Sequence, residues 1–220
     1  MDRIIEPELM EVEEQGQAYA QADFSGPNKH FIALFAAKFP DFTGSGRVLD
    51  LGCGPADILI RFARRYPDCA CIGIDGAEAM LAPGRRVIEQ EKLSRRITLH
   101  CQCLPFAGSD GCFQAILSNS LLHHLHRPHV LWQTIHDCTA PGGAILIMDL
   151  FRPDSKESAR YIVDTYAGNE SKILQADFYN SLLAAFRVGE VRNQLQQIGL
   201  KLCCEEVSDR HLAIWGTRSW

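Results

Sequence analysis

Several features that define other protein classes are missing from this sequence. No apolar run approaches the ~20 residues that a membrane helix needs. The acidic N-terminus, which begins Met1-Asp2-Arg3, has neither the basic nor the apolar region of a secretory signal. Lys and Arg number 22 against 27 Asp and Glu, so the chain lacks the basic excess typical of nucleic-acid binding. We therefore expect a cytoplasmic protein with no membrane or nucleic-acid partner.

Cysteine is abundant, but its pattern lacks the marks of a disulfide framework. The chain has nine cysteines, an odd number, and without an export signal we expect them to be reduced. Cys101 and Cys103 have the spacing that places both thiols on one face of a strand, and Cys203 and Cys204 are adjacent. Packing as small apolar side chains is the simplest interpretation. A thiol site for a soft metalloid such as arsenic is the alternative.

Short apolar runs alternate with helical patterns along most of the chain. Strands of nearly continuous apolar character are predicted at 47–51, 70–75, 97–101, 113–118 and 144–149. Strands that alternate with helices in this way form a parallel sheet covered on both faces. After residue 150 this alternation stops. Helices of mixed polarity follow, and two further strands are predicted near the C-terminus.

This change of pattern divides the chain into three parts. Residues 1–45 are predicted to form an N-terminal helical lid. Residues 46–150 and 187–220 are predicted to form the α/β core. Residues 151–186 are interpreted as a helical insertion that caps the ligand edge of the sheet.

The most specific pattern is a glycine turn between the first strand and the helix that follows. Gly52 and Gly54 would let a nucleotide-like ligand approach the backbone at the carboxyl edge of the sheet. A dinucleotide fingerprint has a third glycine where this chain has Asp57, and that carboxylate disfavours a diphosphate ligand and therefore a dehydrogenase. Asp50, two residues before the turn, suits a ligand that carries an ammonium group.

A second acidic residue, Asp75, ends the second predicted strand. A carboxylate at this edge of the sheet can accept hydrogen bonds from both hydroxyls of a ribose. Asp is also a favoured residue for capping the N-terminus of a helix. The two roles are compatible in one side chain.

These residues belong to five motifs that occur in a fixed order. The motifs are Asp50-Leu51-Gly52-Cys53-Gly54, Gly73-Ile74-Asp75-Gly76-Ala77-Glu78-Ala79-Met80-Leu81, Leu104-Pro105-Phe106, Leu122-His123-His124-Leu125 and Pro141-Gly142-Gly143. Over roughly residues 45–150 they resemble the class I S-adenosylmethionine-dependent methyltransferases, in particular the small-molecule branch of methyltransferase types 11 and 25. The resemblance implies an α/β, Rossmann-like three-layer sandwich with a mostly parallel seven-stranded sheet and an antiparallel last strand. It also implies in-line methyl transfer from S-adenosylmethionine to a small molecule.

The same resemblance implies a set of cofactor contacts. The methionine moiety would lie against Gly52, Cys53 and Gly54, with Asn119 beside it. The residues that would border the adenine are Gly76, Met80, Gln102 and Cys103. Tyr19 would close over the cofactor as part of the lid, and an ordinary packed tyrosine is the alternative.

Two adjacent histidines are the candidate catalytic residues. His123 and His124 follow the fourth strand, beside the expected methyl group, and would orient the acceptor or remove its proton. A metal site is the competing interpretation, because imidazole is a common ligand. The histidine spacing between 123 and 129 matches no standard metal-binding pattern, and Pro128 is expected to begin a helix that turns His129 away. We therefore predict no metal.

The C-terminal third is predicted to determine the substrate specificity. The candidates are Tyr166, Tyr179 and Asn180 in the cap, and Arg210 and His211 in the turn between the last two strands. The planar fork of an arginine suits a carboxylate on the acceptor. A solvated surface position is the alternative for each of them.

Two further hypotheses stay open beside small-molecule methylation. A metalloid methyltransferase would need Cys101, Cys103, Cys203 or Cys204 in the pocket. A protein that binds S-adenosylmethionine without turnover would bind the cofactor and release no product. The sequence leaves open whether the chain is a monomer or a homodimer.

Overall fold

The computed structural model describes residues 1–7, 24–106 and 112–219. Its helices are α1 (Ser25–Lys38), α2 (Asp57–Arg65), α3 (Glu78–Gln90), α4 (His129–Cys138), α5 (Lys156–Ala167), α6 (Lys172–Ala184) and α7 (Val188–Ile198). Its strands are β1 (Ser45–Leu51), β2 (Asp68–Asp75), β3 (Ile97–Cys101), β4 (Phe113–Asn119), β5 (Thr139–Leu150), β6 (Cys203–Glu206) and β7 (His211–Thr217). A short 3₁₀ turn, Leu122–His124, follows β4. Within these described ranges, no helix has both the length and the apolar character that a membrane crossing needs.

The strands form one sheet in the order β3-β2-β1-β4-β5-β7-β6. β1 to β5 pair in parallel, and β7 is antiparallel to both of its neighbours. The chain order reverses between β1 and β4, which creates a crevice beyond the carboxyl ends of these two strands. The predicted seven-stranded, Rossmann-like sheet with an antiparallel last strand is confirmed.

Both faces of the sheet are covered because alternate strand residues point to opposite sides. Val48 belongs to an apolar cluster with Phe35 of α1 and Phe62 of α2. Its neighbour Leu49 belongs to a second cluster with Trp132 of α4. Strands that are buried on both faces need continuous apolar runs, which is the pattern that predicts the parallel sheet.

A third apolar cluster lies over the end of β5 and joins the two helices of the predicted cap. Val163 of α5 and Leu182 of α6 belong to it together with Leu150, the last residue of β5. The N-terminal segment is tied to the same unit, because the backbone N–H of Ile4 donates to the carbonyl of Leu183 at 3.0 Å. The predicted cap segment therefore contains two packed helices, and its role as a cap stays a prediction.

β5 begins earlier than the sequence predicts. Its pairing with β4 passes from Phe113 opposite Thr139 directly to Ala115 opposite Ala144. The stretch Pro141-Gly142-Gly143 therefore forms an irregular first part of the strand, rather than a turn before it. Apolar patterning cannot detect such a start, because Pro and Gly are depleted in strands and carry no apolar signal.

Helix α3 packs closely against the glycine turn. A Cβ added at Gly84, in the middle of the helix, would meet the carbonyl oxygen of Pro55 at 2.6 Å. The helix continues through Pro83, although Pro and Gly are both poor helix formers. The close approach explains why a residue with poor helix propensity occupies this position.

We expect Gly84→Ala to lower the free energy of unfolding by about 1–3 kcal/mol, because the added methyl group overpacks against backbone. Gly189→Ala is the matched control: Gly189 lies at the start of α7 with nothing within 4 Å of its added Cβ. There the better helix propensity of Ala should raise the same free energy by up to about 1 kcal/mol. Urea denaturation measures both values, and equal effects of the two changes would contradict the close contact at α3.

Candidate active site

A cavity of about 820 Å³ opens at the carboxyl edge of the sheet. It is lined by the ends of the parallel strands, by the turns that follow them and by the helices of the predicted cap. The predicted site residues that line it are Asp50, Gly52, Cys53, Gly54, Asp75, Gly76, Met80, Gln102, Cys103, Asn119, His123, His124, Tyr166, Arg210 and His211. They converge because the carboxyl ends of parallel strands meet at one edge. Tyr19, the predicted lid residue, lies outside the described residues.

The glycine turn is held in place by the end of β2. The backbone N–H groups of Gly52 and Cys53 donate to the carbonyl of Ile74 at 2.9 and 3.0 Å. The N–H of Gly54 donates to Asp75 Oδ2 at 2.9 Å, and the N–H of Ala77 donates to Asp75 Oδ1 at 2.9 Å. Asp75 therefore fixes the turn on one side and the approach to α3 on the other.

Glycine is required in this turn for its backbone conformation. Gly52 has a φ of 69° and Gly54 has a φ of 50°, both in the left-handed region that L side chains rarely adopt. A Cβ at Gly52 would also meet the Leu121 side chain at 2.8 Å. The turn leaves backbone, rather than side chain, facing the cavity at these positions.

Asp50 is a buried carboxylate at the floor of the cavity. Its side chain is 2% exposed, and burial, together with the nearby negative charge of Asp75, raises its pKa to about 7. Asn119, at the end of the neighbouring strand β4, has a buried side-chain oxygen without a hydrogen-bond partner in the described part of the chain. A cationic, hydrogen-bonding ligand would satisfy both groups.

The first turn of α2 carries an acid where a diphosphate site would need an open helix N-terminus. Asp57 begins the helix, lines the cavity, and accepts hydrogen bonds from Asn28 at 2.7 Å and Arg61 at 2.6 Å. A phosphate at this helix end would meet the carboxylate. The arrangement therefore agrees with the sequence argument against a dehydrogenase.

His123 forms a buried pair with an acid that the sequence analysis does not single out. His123 Nδ1 lies 2.5 Å from Asp149 Oδ1, and both side chains are almost fully buried. The other oxygen of Asp149 accepts from the N–H of Leu122 at 2.6 Å. Burial opposes charge on both partners, but their mutual attraction prevails: the pKa of His123 is raised and that of Asp149 is lowered. The signal for Asp149 in the sequence is its position at the end of a predicted strand.

His124 faces a residue from the far N-terminus. Its Nδ1 lies 3.2 Å from Glu6 Oε1, and the same carboxylate oxygen lies 3.7 Å from His123 Nε2. Burial, and the charge of His123, lower the pKa of His124 to about 3, whereas burial raises the pKa of Glu6. Sequence reasoning misses Glu6 because nothing in its local pattern connects it to the histidines.

The predicted substrate residues divide into two groups. Tyr166, Arg210 and His211 line the cavity, but Tyr179 and Asn180 do not. The lining residues of α6 include Leu174, Phe178 and Ser181, which lie on one face because helical neighbours are three to four residues apart. Tyr179 instead packs on the third apolar cluster, which joins α5 and α6, and Asn180 is exposed.

The Arg210 side chain already interacts with two other residues of the protein. Its guanidinium lies 3.3 Å from the ring centroid of Tyr166, and its Nη1 donates to Asp209 at 2.9 Å. The Tyr166 hydroxyl donates to the same carboxylate group at 2.6 Å. A carboxylate on an acceptor would therefore compete with Asp209 for this arginine.

The cysteines do not converge on the cavity. Of the four thiols that a metalloid site would use, Cys103 lines the cavity, whereas Cys203 and Cys204 line a separate groove beside β6. Cys101 contacts the carbonyl of Gly76 and is not part of the lining. The described residues therefore give the metalloid hypothesis little support.

Comparison with known proteins identifies the central part of the chain. Residues 48–143 match the family model described as a methyltransferase domain. An uncharacterized methyltransferase of Mycobacterium tuberculosis is 27% identical over 141 residues, which are 64% of this chain and 68% of the relative. A ubiquinone/menaquinone biosynthesis C-methyltransferase of Citrifermentans bemidjiense is 36% identical over 124 residues, 54% of this chain and 52% of the relative. The chain thus spans about half the length of that relative.

Solved structures agree in fold. A putative S-adenosylmethionine-dependent methyltransferase of Methanococcus maripaludis superposes with a TM-score of 0.69 at 17% identity, covering 96% of this chain and 95% of that one. A methyltransferase of Aquifex aeolicus gives 0.68 at 14% identity, covering 92% and 97%. At these identities the similarity concerns the fold.

Proposed function

We propose that this chain, which matches the methyltransferase domain model over residues 48–143 and is similar to an uncharacterized methyltransferase, is a class I S-adenosylmethionine-dependent methyltransferase that transfers a methyl group to a small-molecule acceptor. The proposal rests on one observation: two carboxylates, Asp50 and Asp75, flank a single glycine turn in the cavity. A diphosphate at this turn would meet the carboxylate of Asp57 at the start of α2. An aminoacyl nucleoside offers an ammonium group for Asp50 and ribose hydroxyls for Asp75.

Other features of the cavity support the fit of this cofactor. The left-handed glycines leave room for a ligand beside the backbone, and the unpartnered Asn119 oxygen is a free acceptor for an amino group. Met80 offers an apolar surface beside an adenine, and the segment Gln102-Cys103 offers a polar one. We assign the methionine end to Asp50 and Asn119 and the nucleoside end to Asp75.

Methyl transfer from this cofactor mainly requires that the acceptor be aligned with the methyl group. When bound, S-adenosylmethionine supplies a methyl group on a sulfonium that is already activated for displacement. The contribution of the protein is then to hold the acceptor in line and to exclude water. We place the acceptor at the end of the cavity that His123 and His124 line, where the two imidazoles orient it, and we assign α5 and α6 the exclusion of water.

The helices that line one side of the cavity favour a small acceptor. The cavity lies under the two helices α5 and α6, whose residues Tyr166 and Phe178 contribute to its wall. Some of the similar proteins are named for small molecules: the ubiquinone/menaquinone C-methyltransferases and the phosphoethanolamine N-methyltransferase of Haemonchus contortus. We therefore propose a metabolite rather than a macromolecule as the acceptor.

Turnover with small metabolites tests this function. The purified chain is incubated with S-adenosylmethionine and the low-molecular-weight fraction of a cell extract, and S-adenosylhomocysteine is quantified by mass spectrometry. Product that depends on the extract supports the proposal. Tight cofactor binding with no product from any fraction would instead identify a binding protein without turnover, and no binding at all would overturn the assignment of the family chemistry to this cavity.

The raised pKa of Asp50 predicts a pH-dependent affinity. An ammonium group binds the ionised carboxylate, so the affinity for S-adenosylhomocysteine should increase by nearly tenfold per pH unit as the pH rises towards 7 and should level off above it. Calorimetry between about pH 5.5 and 7.5 keeps the α-amino group of the ligand mostly protonated. Asp50→Asn should bind more weakly and show a flat profile, whereas Asp68→Asn, at the exposed start of β2, should retain the slope.

A further inference from the structure

We propose that Glu6, His123 and His124 form a binding site for one divalent transition-metal ion. One carboxylate oxygen and two imidazole nitrogens, one from each of these residues, lie within 4.8 Å of one another. Two imidazoles and a carboxylate are a donor set that suits Zn²⁺ and its first-row neighbours. The inference concerns metal binding alone, so it stands or falls independently of methyl transfer.

Two of the three distances between the donor atoms are close to those around a small metal ion. Ligand atoms at 2.0–2.1 Å from a tetrahedral centre are about 3.3 Å apart. Glu6 Oε1 lies 3.2 Å from His124 Nδ1 and 3.7 Å from His123 Nε2. The two imidazole nitrogens lie within 4.8 Å of each other, so side-chain movements that close this gap by up to about 1.5 Å would complete the geometry.

Two of the donor atoms are buried without a hydrogen-bond partner. Glu6 Oε1 and His124 Nδ1 each expose almost no surface, and neither makes a hydrogen bond within the described residues. A buried polar atom left in this state costs about 1–3 kcal/mol. A metal ion between them would satisfy both atoms at once.

Asp149 orients the third donor. It holds His123 through Nδ1 at 2.5 Å, so that Nε2 points towards Glu6. Its position is fixed in turn by the N–H groups of Leu122 at 2.6 Å and Leu150 at 2.7 Å. A carboxylate that binds the far nitrogen of a ligand histidine is the usual support of a metal-bound imidazole.

Arg3 brings the N-terminal segment to the histidines. Its Nη2 donates to the carbonyls of His123 at 2.8 Å and Leu125 at 3.1 Å, and its guanidinium stacks on Phe186 at 3.9 Å. Glu6 therefore reaches the site through an anchored segment. Three protein donors leave a fourth position open, and His123 and His124 both line the cavity, so that position is available to a water or to an acceptor oxygen.

Titration with Co²⁺ and Zn²⁺ tests the site without cofactor or acceptor. One equivalent of Co²⁺ should give the strong visible absorption of a four- or five-coordinate ion, and one equivalent of Zn²⁺ should displace it. Loss of a residue that only supports a metal ligand typically weakens metal binding roughly 10- to 100-fold. Because Glu6→Gln and His124→Gln each remove a ligand itself, we expect them to weaken Zn²⁺ binding by more than this. Glu89→Gln and His100→Gln, at exposed positions, should leave it unchanged.

Two further measurements keep the result interpretable. Thiols could bind the same ions, so the titration is repeated with Cys101→Ser/Cys103→Ser; retained binding without a sulfur-to-cobalt charge-transfer band supports the site. Thermal unfolding of the metal-free variants checks that Glu6→Gln folds. The inference is overturned if wild type and Glu6→Gln bind Zn²⁺ equally, or if binding disappears with the two thiols. Glu6 would then only pair with the two histidines.

Discussion

Asp75→Ala should lower the affinity for S-adenosylhomocysteine by at least about a hundredfold. Each carboxylate oxygen can accept two hydrogen bonds, and one position on each is used by the N–H groups of Gly54 and Ala77. Two positions therefore remain for the ribose hydroxyls. A hydrogen bond to a charged group contributes about 1.5–3 kcal/mol, and 1.4 kcal/mol corresponds to a factor of ten, so the loss of both contacts accounts for the expected change.

Calorimetry with S-adenosylhomocysteine measures this loss, and two variants separate its causes. Asp68→Ala changes the same residue type at the opposite end of β2, where the side chain is exposed, and should bind like wild type. Asp75→Asn keeps one acceptor oxygen and should lose less affinity than Asp75→Ala. Unchanged binding by a folded Asp75→Ala protein would show that the ribose lies elsewhere and that this carboxylate only supports the turn.

Asp149→Asn is expected to lower the free energy of unfolding by about 3–5 kcal/mol. The substitution leaves the buried His123 without its nearest counter-charge, and removal of one partner from a buried pair has a cost of this size. An amide also has one acceptor oxygen, whereas the carboxylate accepts from the N–H groups of both Leu122 and Leu150. At least one of these groups would then be buried without a partner.

A second histidine and aspartate pair provides the control for this prediction. His136 Nδ1 lies 2.8 Å from Asp137 Oδ1, but both side chains are well exposed, at 39% and 46%. Exposed ion pairs contribute about 0–1 kcal/mol, so Asp137→Asn should change the free energy of unfolding by less than about 1 kcal/mol. Denaturant unfolding of both variants at one pH measures the contrast, and similar small effects would mean that the His123 pair is not a buried ion pair.

Much of the fold follows from local patterns in the chain. The apolar runs at β1 and β4 predict strands buried on both faces, and the structure places them at the centre of the sheet. The exceptions are positions where the residue type is determined by the atoms that pack against it. Pro83 and Gly84 indicate a weak point within the predicted helix, yet α3 continues through them, and Gly84 is needed there because it packs against the carbonyl of Pro55.

Helix α6, in the predicted cap, could be predicted from the sequence only in part. The composition of α6 predicts a helix but does not establish which face it turns to the cavity. Tyr179 and Asn180 are polar enough to suggest substrate contacts, whereas the structure brings Phe178 and Ser181 to the lining. The rotation of a helix about its axis is decided by the surfaces it packs against, and these belong to other segments.

The sequence by itself determined the sheet and the residues of the proposed cofactor-binding end of the cavity. Asp50, Gly52, Gly54 and Asp75 lie within one strand–turn–helix–strand unit, and the parallel sheet must bring its carboxyl ends to a common edge. The tertiary structure alone decided the histidine end, where Glu6 and Asp149 meet His123 and His124 from distant segments. Contacts between segments far apart in the chain depend on packing of the whole domain, and no local pattern records them.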